Sequence, residues 1–273
     1  MQILFVLAIL CYLLSSAGYF TYLIFQRELL QRLGSGLLLA GFFCQSAVII
    51  WTYIVVGHVP VNNLHETLSL VSWTLSGAFL ALSLKLQVKI LGLYVAPLAA
   101  FVLIVASQFP RELLQPQDLM KGFWLWVHII SIFLGNASFT LACGLGTLYL
   151  IQEHSIKQKS HGFFFKRLPS LDLLDSTGYA CIVTGFTMLT VGLVTGMMYA
   201  KNVWGRFWSW DPKEIWSAIT WIFYAVLLHE RLAVGWRGRR AAIMAIAGFG
   251  VLLFTFLGVN FLLKGHHGQF TRW

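Results

Sequence analysis

The chain has 273 residues, of which 58% are hydrophobic and only 11% charged, and its mean hydropathy is +0.76. A water-soluble fold of this length needs a charged shell, which 19 basic and 10 acidic residues do not supply; disorder, collagen-like and disulfide-rich classes are excluded on the same composition. The net charge of +9 on a soluble protein points to nucleic acid, but in an apolar chain it reports membrane topology, and no nucleic-acid partner is expected.

Runs of about 20 mostly apolar residues, the length that crosses a bilayer as a helix, fall near 3–25, 36–56, 68–84 and 88–107. Four more follow near 122–151, 177–199, 214–235 and 241–263, the fifth of the eight being long enough to protrude or tilt. Lipid leaves no water for backbone groups, so helices are the expected form. The fold class is an all-α integral membrane protein, about eight transmembrane helices in one bundle, with residues 1–273 forming a single polytopic domain. The first run has no basic residue before it and no small-residue cleavage site after it, and reads as a retained helix. Cys11, Cys44, Cys143 and Cys181 each lie in apolar runs without metal-ligand spacing and read as small core residues. There is no C-x-x-C-H segment, hence no covalent haem attachment site in the chain itself.

Lys and Arg divide unequally between alternate connections. Twelve of the 19 fall at the odd ones (Arg27, Arg32, Lys85, Lys89, Lys157, Lys159, Lys166, Arg167, Arg231, Arg237, Arg239, Arg240) and seven at the even ones and the C-terminus. The bias places the odd connections in the cytoplasm, and both termini and the even connections outside.

The sixth connection, 201–221, is unusual. It contains Trp204, Trp208, Trp210, Trp216 and Trp221 out of eleven tryptophans in all, interleaved with Arg206, Asp211, Lys213 and Glu214. An interfacial aromatic belt is one reading. The other is a ligand platform: Gly205 permits an unusual turn, Pro212 fixes a dihedral where a helix begins, and Asp211 is a plausible N-cap. A broad aromatic floor with Arg206 or Lys213 at its edge suits a large flat ligand carrying carboxylates.

Eight histidines are sorted by depth. His128 follows Trp124 and Trp126 at the outer start of the fifth run, and His266 and His267 follow the outer end of the eighth. They share a face with the tryptophan connection, where imidazoles from distant stretches of chain can meet above and below a planar macrocycle. His229 lies about 22 Å deeper along the seventh helix and belongs to a different place; on residues alone it reads as an interfacial partner of Glu230 or a carbonyl. His154 and His161 read as solvated, while His58 and His65 flank an outer connection and are weaker candidates for the same chamber.

The segment WGRFWSWDPKEIWSAITW resembles the tryptophan-rich WWD signature of haem-handling proteins of cytochrome c maturation. LDLLDSTGY, LLHERL, GVNFLLKGHHG and VPVNNLHETLSLVSW extend the likeness to the CcsA (ResC) branch, the System II cytochrome c synthase component, over most of residues 60–273. That branch usually has an aromatic residue at the position of His65. The resemblance implies that His128 and His267, with His266 as the neighbouring alternative, are external axial ligands of haem, and that His229 is an inner histidine that helps haem cross. It further implies haem b as bound substrate, held over Trp204, Trp208, Trp210, Asp211 and Trp216. Its partners are then a CcsB (ResB) membrane protein and an apocytochrome c whose C-x-x-C-H thiols add to the haem vinyl groups, in a bacterial inner or thylakoid-type membrane. On this reading the chain presents haem and supplies no catalytic nucleophile. A haem-binding regulatory or chaperone protein like the HemX or CcmC groups is the alternative, and a transporter of some other amphipathic anion is a third.

Overall fold

The computed structural model of the chain describes residues 1–86, 88–110, 122–158 and 162–263. The described residues form helices without strands, and eight helical spans are long and apolar enough to cross a membrane. These are α1 (Gln2–Phe25), α2 (Glu28–Val56), α3 (Leu64–Lys85), α4 (Gly92–Ser107, entered through a 3-10 turn at Lys89–Leu91), α5 (Phe123–Lys157), α6 (Leu171–Trp204), α7 (Pro212–His229) and α8 (Arg239–Leu253). Helix α7 runs on into a π turn, Glu230–Val234; α8 runs into another, Phe254–Gly258, followed by a last helical turn, Val259–Leu262.

Every apolar run anticipated from the sequence is a helix, but several reach further than the apolar windows. Helix α2 starts at Glu28 rather than near residue 36, so Arg32 lies inside it and the first connection shrinks to Gln26 and Arg27. An exposed Glu28–Arg32 pair, 3.3 Å apart at i,i+4, occupies that added stretch. Lys157 and Glu153 make the same kind of pair, 2.8 Å apart, at the end of α5. Hydropathy marks only the lipid-depth part of a helix. The 35 residues of α5 rise roughly 52 Å, well beyond a hydrocarbon layer of about 30 Å.

Burial is inverted relative to a soluble protein. Large apolar side chains such as Leu84 (87% exposed) and Ile3 (75%) cover the outside, while Tyr12, Gln45, Ser72 and Ser76 are fully buried. The buried polar groups stitch helices together. Tyr12 donates to Gln45 Oε1 at 2.7 Å, Gln45 donates to the Ser69 carbonyl at 2.8 Å, and Ser72 donates to the Ala99 carbonyl at 2.9 Å. On the other half of the bundle, Trp221 Nε1 donates to Thr190 at 2.8 Å, joining α7 to α6. Hydroxyls and amides bonded from helix to helix, beneath an apolar exterior, are what a lipid solvent selects, and the molecule is a multi-pass membrane protein.

Helices α5 and α6 form the most extensively packed pair, with α8 against α5 and α7 beside α6. The odd connections share one end of the bundle: Arg167 donates to the Ile24 carbonyl at 3.2 Å, and Arg231 of the π turn after α7 pairs with Asp175 of α6 at 2.7 Å. The start of α1 lies at the other end, where Phe5 packs on His65 with centroids 5.0 Å apart and His65 Nδ1 donates to the Ala106 carbonyl near the end of α4 at 2.7 Å.

Candidate functional site

At the end carrying the even connections, six parts of the chain enclose a cavity of about 200 Å³. Val61 and Thr67 come from the entry to α3; Leu125, His128, Ile129, Ile132 and Phe133 from the first turns of α5; Leu193, Gly196, Met197, Tyr199, Ala200 and Trp204 from the last turns of α6. Phe207 and Trp208 come from the tryptophan connection, Lys213, Glu214 and Ser217 from the start of α7, and Phe256 from the π turn of α8. The walls are apolar and aromatic, with one imidazole and one polar edge.

His128 is oriented from behind. Its Nδ1 donates to the Gly192 carbonyl of α6 at 2.7 Å, which places a proton on Nδ1 and makes Nε2 the ring nitrogen available to act as a ligand. The ring lies so close to α6 that a Cβ on residue 196 would sit 2.8 Å from Nδ1, and glycine stands there. An imidazole oriented by this bond and half-buried in an apolar cavity has, when Nε2 is deprotonated, the donor chemistry of an axial ligand to haem iron.

The tryptophan connection is built by its own polar residues. Gly205 caps α6 in the left-handed region (φ 73°), and Lys201 donates to the Gly205 carbonyl at 2.9 Å. Pro212 opens α7, and Asp211 is its N-cap, accepting the Lys213 N–H at 2.9 Å; Glu214 reaches back to the Asp211 N–H at 3.3 Å. Glu214 also accepts the backbone N–H and the hydroxyl of Ser209, at 2.8 and 2.9 Å. One carboxylate thus ties down the whole Ser209–Asp211 bend. Trp210, at its centre and 76% exposed, is held at φ 60°, a conformation that L side chains rarely adopt.

The candidates taken from the sequence therefore separate. His128, Trp204, Trp208 and Lys213 converge on the cavity. Asp211 is 4% exposed and serves as the cap; Trp216 packs on Phe254 with centroids 4.4 Å apart; Trp210 and Arg206 are exposed on the connection, and none of these four lines the cavity. His266 and His267 lie outside the described residues. His229 is exposed at the far end of α7, 15 residues beyond Glu214 and about 22 Å along the axis. His154 is exposed as expected, and His161 lies outside the described residues. His58 and His65 do not line the cavity. The former is 2% exposed with Nδ1 donating to the Val59 carbonyl and Nε2 accepting from Asn62, both at 2.9 Å, so both ring nitrogens are engaged in holding the α2–α3 connection.

Several lining residues were not singled out in the sequence. Leu125, Ile129, Ile132 and Phe133 follow from helical spacing around His128, and Met197 and Ala200 from spacing before Trp204, once those two anchors are chosen. Phe256 has no such signal, because the π turn that presents it leaves no mark in the apolar pattern.

Fold and site together define a polytopic membrane protein with a histidine-bearing aromatic cavity at one end of its bundle. The sequence profile described as Cytochrome C assembly protein matches residues 61–267, and the chain belongs to that family. Among its relatives are proteins named cytochrome c biogenesis protein CcsA. That of Welwitschia mirabilis is 34% identical over 254 residues, 83% of each chain; that of Guillardia theta is 33% identical over 230, 77% of this chain and 76% of that protein. The Synechococcus sp. (strain JA-3-3Ab) protein is 30% identical over 297 residues, 89% of this chain and 86% of its own length. A solved structure titled cytochrome c heme lyase CcmF superposes with a TM-score of 0.67 at 18% identity, covering 98% of this chain. The chain spans about half (48%) of that protein, with which it shares the fold.

Proposed function

We propose that this protein is the CcsA-type component of a cytochrome c synthase: it takes haem in at the His229 end, moves it across the membrane, and presents it at the cavity for covalent attachment to apocytochrome c. The observation that carries this reading is His128, an imidazole oriented by the Gly192 carbonyl in a cavity edged by Trp204 and Trp208.

Each residue then has a physical task. His128 offers Nε2 to one face of the iron and His267, or its neighbour His266, the other, as family membership implies. Trp204, Trp208 and Phe207 give stacking area to a flat hydrophobic plate. Lys213, rather than Arg206, lines the cavity and pairs with a propionate. A volume of about 200 Å³ lies below the roughly 300–1,000 Å³ of pockets that engulf a small ligand, so the cavity takes one edge of haem b and leaves the rest toward an incoming C-x-x-C-H segment. The protein's contribution is proximity and orientation, the thiols being the acceptor's own. A CcsB (ResB) membrane protein completes the assembly near His229, in a bacterial cytoplasmic or thylakoid-type membrane, with the tryptophan connection on the external side.

The test is purification of the full chain with and without a CcsB-type subunit, followed by an absorption spectrum and a haem stain of a co-expressed apocytochrome. His128→Ala is expected to lose or shift the Soret band, with partial recovery on added imidazole, and His229→Ala to lower haem content without changing the spectrum of what remains. An unchanged spectrum and normal cytochrome assembly in His128→Ala defeat the proposal. Haem binding without transfer to apocytochrome in the presence of the partner points instead to a HemX- or CcmC-like chaperone.

A further inference from the structure

Helix α8 loses its regular winding at Phe254–Gly258, a π turn against the tryptophan-bearing start of α7. Such turns are rare, wind about one extra residue into the helix, and recur at functional sites. This one is held by neighbours. The ring of Trp216 packs on Phe254 with centroids 4.4 Å apart. Thr255 Oγ1 lies 2.8 Å from Thr220 Oγ1, 2.9 Å from the Val251 carbonyl oxygen and 3.3 Å from the carbonyl oxygen of Trp216 itself. Trp216 therefore grips the first residue of the turn with its ring and the second through its backbone. The third, Phe256, lines the cavity, edge-on to Phe133 at 6.4 Å and 82°, on a wall that continues along α5 to His128.

We propose that Trp216 is a positioning residue acting through the π turn of α8, and that Phe256, which the turn aims into the cavity, is the aromatic wall that sets where a macrocycle rests relative to His128. One tryptophan of the WWD segment thus works without touching the ligand. The inference deepens the haem reading above and rests on it.

The full chain purified in detergent and titrated with haemin tests this. Phe256→Ala is expected to shift the Soret maximum and weaken haemin retention roughly tenfold, with Phe256→Tyr close to wild type. Trp216→Leu and Thr255→Val should reproduce the Phe256→Ala spectrum, and Trp216→Phe should keep the wild-type one. The Trp216→Leu/Phe256→Ala double variant should be no worse than Phe256→Ala alone, because both act at one place. If Phe256→Ala does not accumulate in the membrane, Phe256→Leu replaces it. Wild-type spectrum and retention in Phe256→Ala or Phe256→Leu overturn the inference while a lost spectrum in His128→Ala preserves the haem reading. An unchanged His128→Ala spectrum overturns both. Additive losses in the double variant reject the role given to Trp216.

Discussion

Gly196 lies against the imidazole of His128: a Cβ at that position would stand 2.8 Å from Nδ1 and 2.9 Å from Cε1. Cβ contacts that close are essentially never seen, so Gly196→Ala is expected to displace the ring from the Gly192 carbonyl that orients it. Losing an orienting hydrogen bond of this kind typically weakens metal binding about 10- to 100-fold. Haemin titration of Gly196→Ala should show that loss, while Gly36→Ala, where nothing lies within 4 Å of the new methyl, should bind as wild type. Equal retention in both variants removes His128 as an oriented ligand.

Asp211 gives a sharper question about the tryptophan connection, since its carboxylate accepts the Lys213 N–H and it is nearly fully buried. Asparagine caps a helix about as well as aspartate, whereas alanine costs about 1 kcal/mol. Asp211→Asn is expected to match wild type in thermal stability and haemin binding, and Asp211→Ala to lose both. A haemin defect in Asp211→Asn with unchanged stability means that the charge, not the cap, is what the site uses.

Lys213 lines the cavity and Arg206 does not, a distinction that follows from the capped start of α7. If the ammonium pairs with a propionate, it contributes roughly 1.5–3 kcal/mol and does so only for a free carboxylate. Wild type should prefer haemin over its dimethyl ester by about tenfold or more; Lys213→Gln should lose the preference, and Arg206→Gln keep it. The reverse pattern moves the propionate to Arg206.

Much of this architecture is legible in the residues. Eight apolar runs gave eight spans, and Gly205, Asp211 and Pro212 are the cap, N-cap and first helical residue that their chemistry indicates. Helix α2 starts ahead of its apolar window because Glu28 and Arg32 occupy helical turns whose exposed, charged side chains carry no apolar signal. Which tryptophans face the cavity was not legible either. Trp204 and Trp208 do and Trp210 and Trp216 do not, since an irregular bend held by Glu214 has no periodicity from which to read a face. The π turn at Phe254–Gly258 was hidden for a related reason: one extra residue leaves a mostly apolar helix looking the same.

Asp175 and Arg231 close the opposite end of the bundle. The guanidinium donates twice to the carboxylate, at 3.0 and 2.7 Å, and stacks over Tyr179 at 4.4 Å, while the Gly238 N–H donates to the same carboxylate at 2.9 Å. Both side chains are largely buried, at 10% and 15% exposure. One carboxylate thereby fixes the π turn after His229 and the entry to α8 onto α6. Removing one partner of such a pair strands the other charge, which costs about 3 kcal/mol or more, whereas removing both does not. Asp175→Ala should therefore lower the thermal midpoint in detergent markedly, and Asp175→Ala/Arg231→Met should recover part of the loss. The spectrum of haem held at the His128 cavity should stay unchanged in both, because the clamp lies at the other end of α7. A double variant no more stable than Asp175→Ala would mean that the Gly238 contact, and not the stranded charge, dominates.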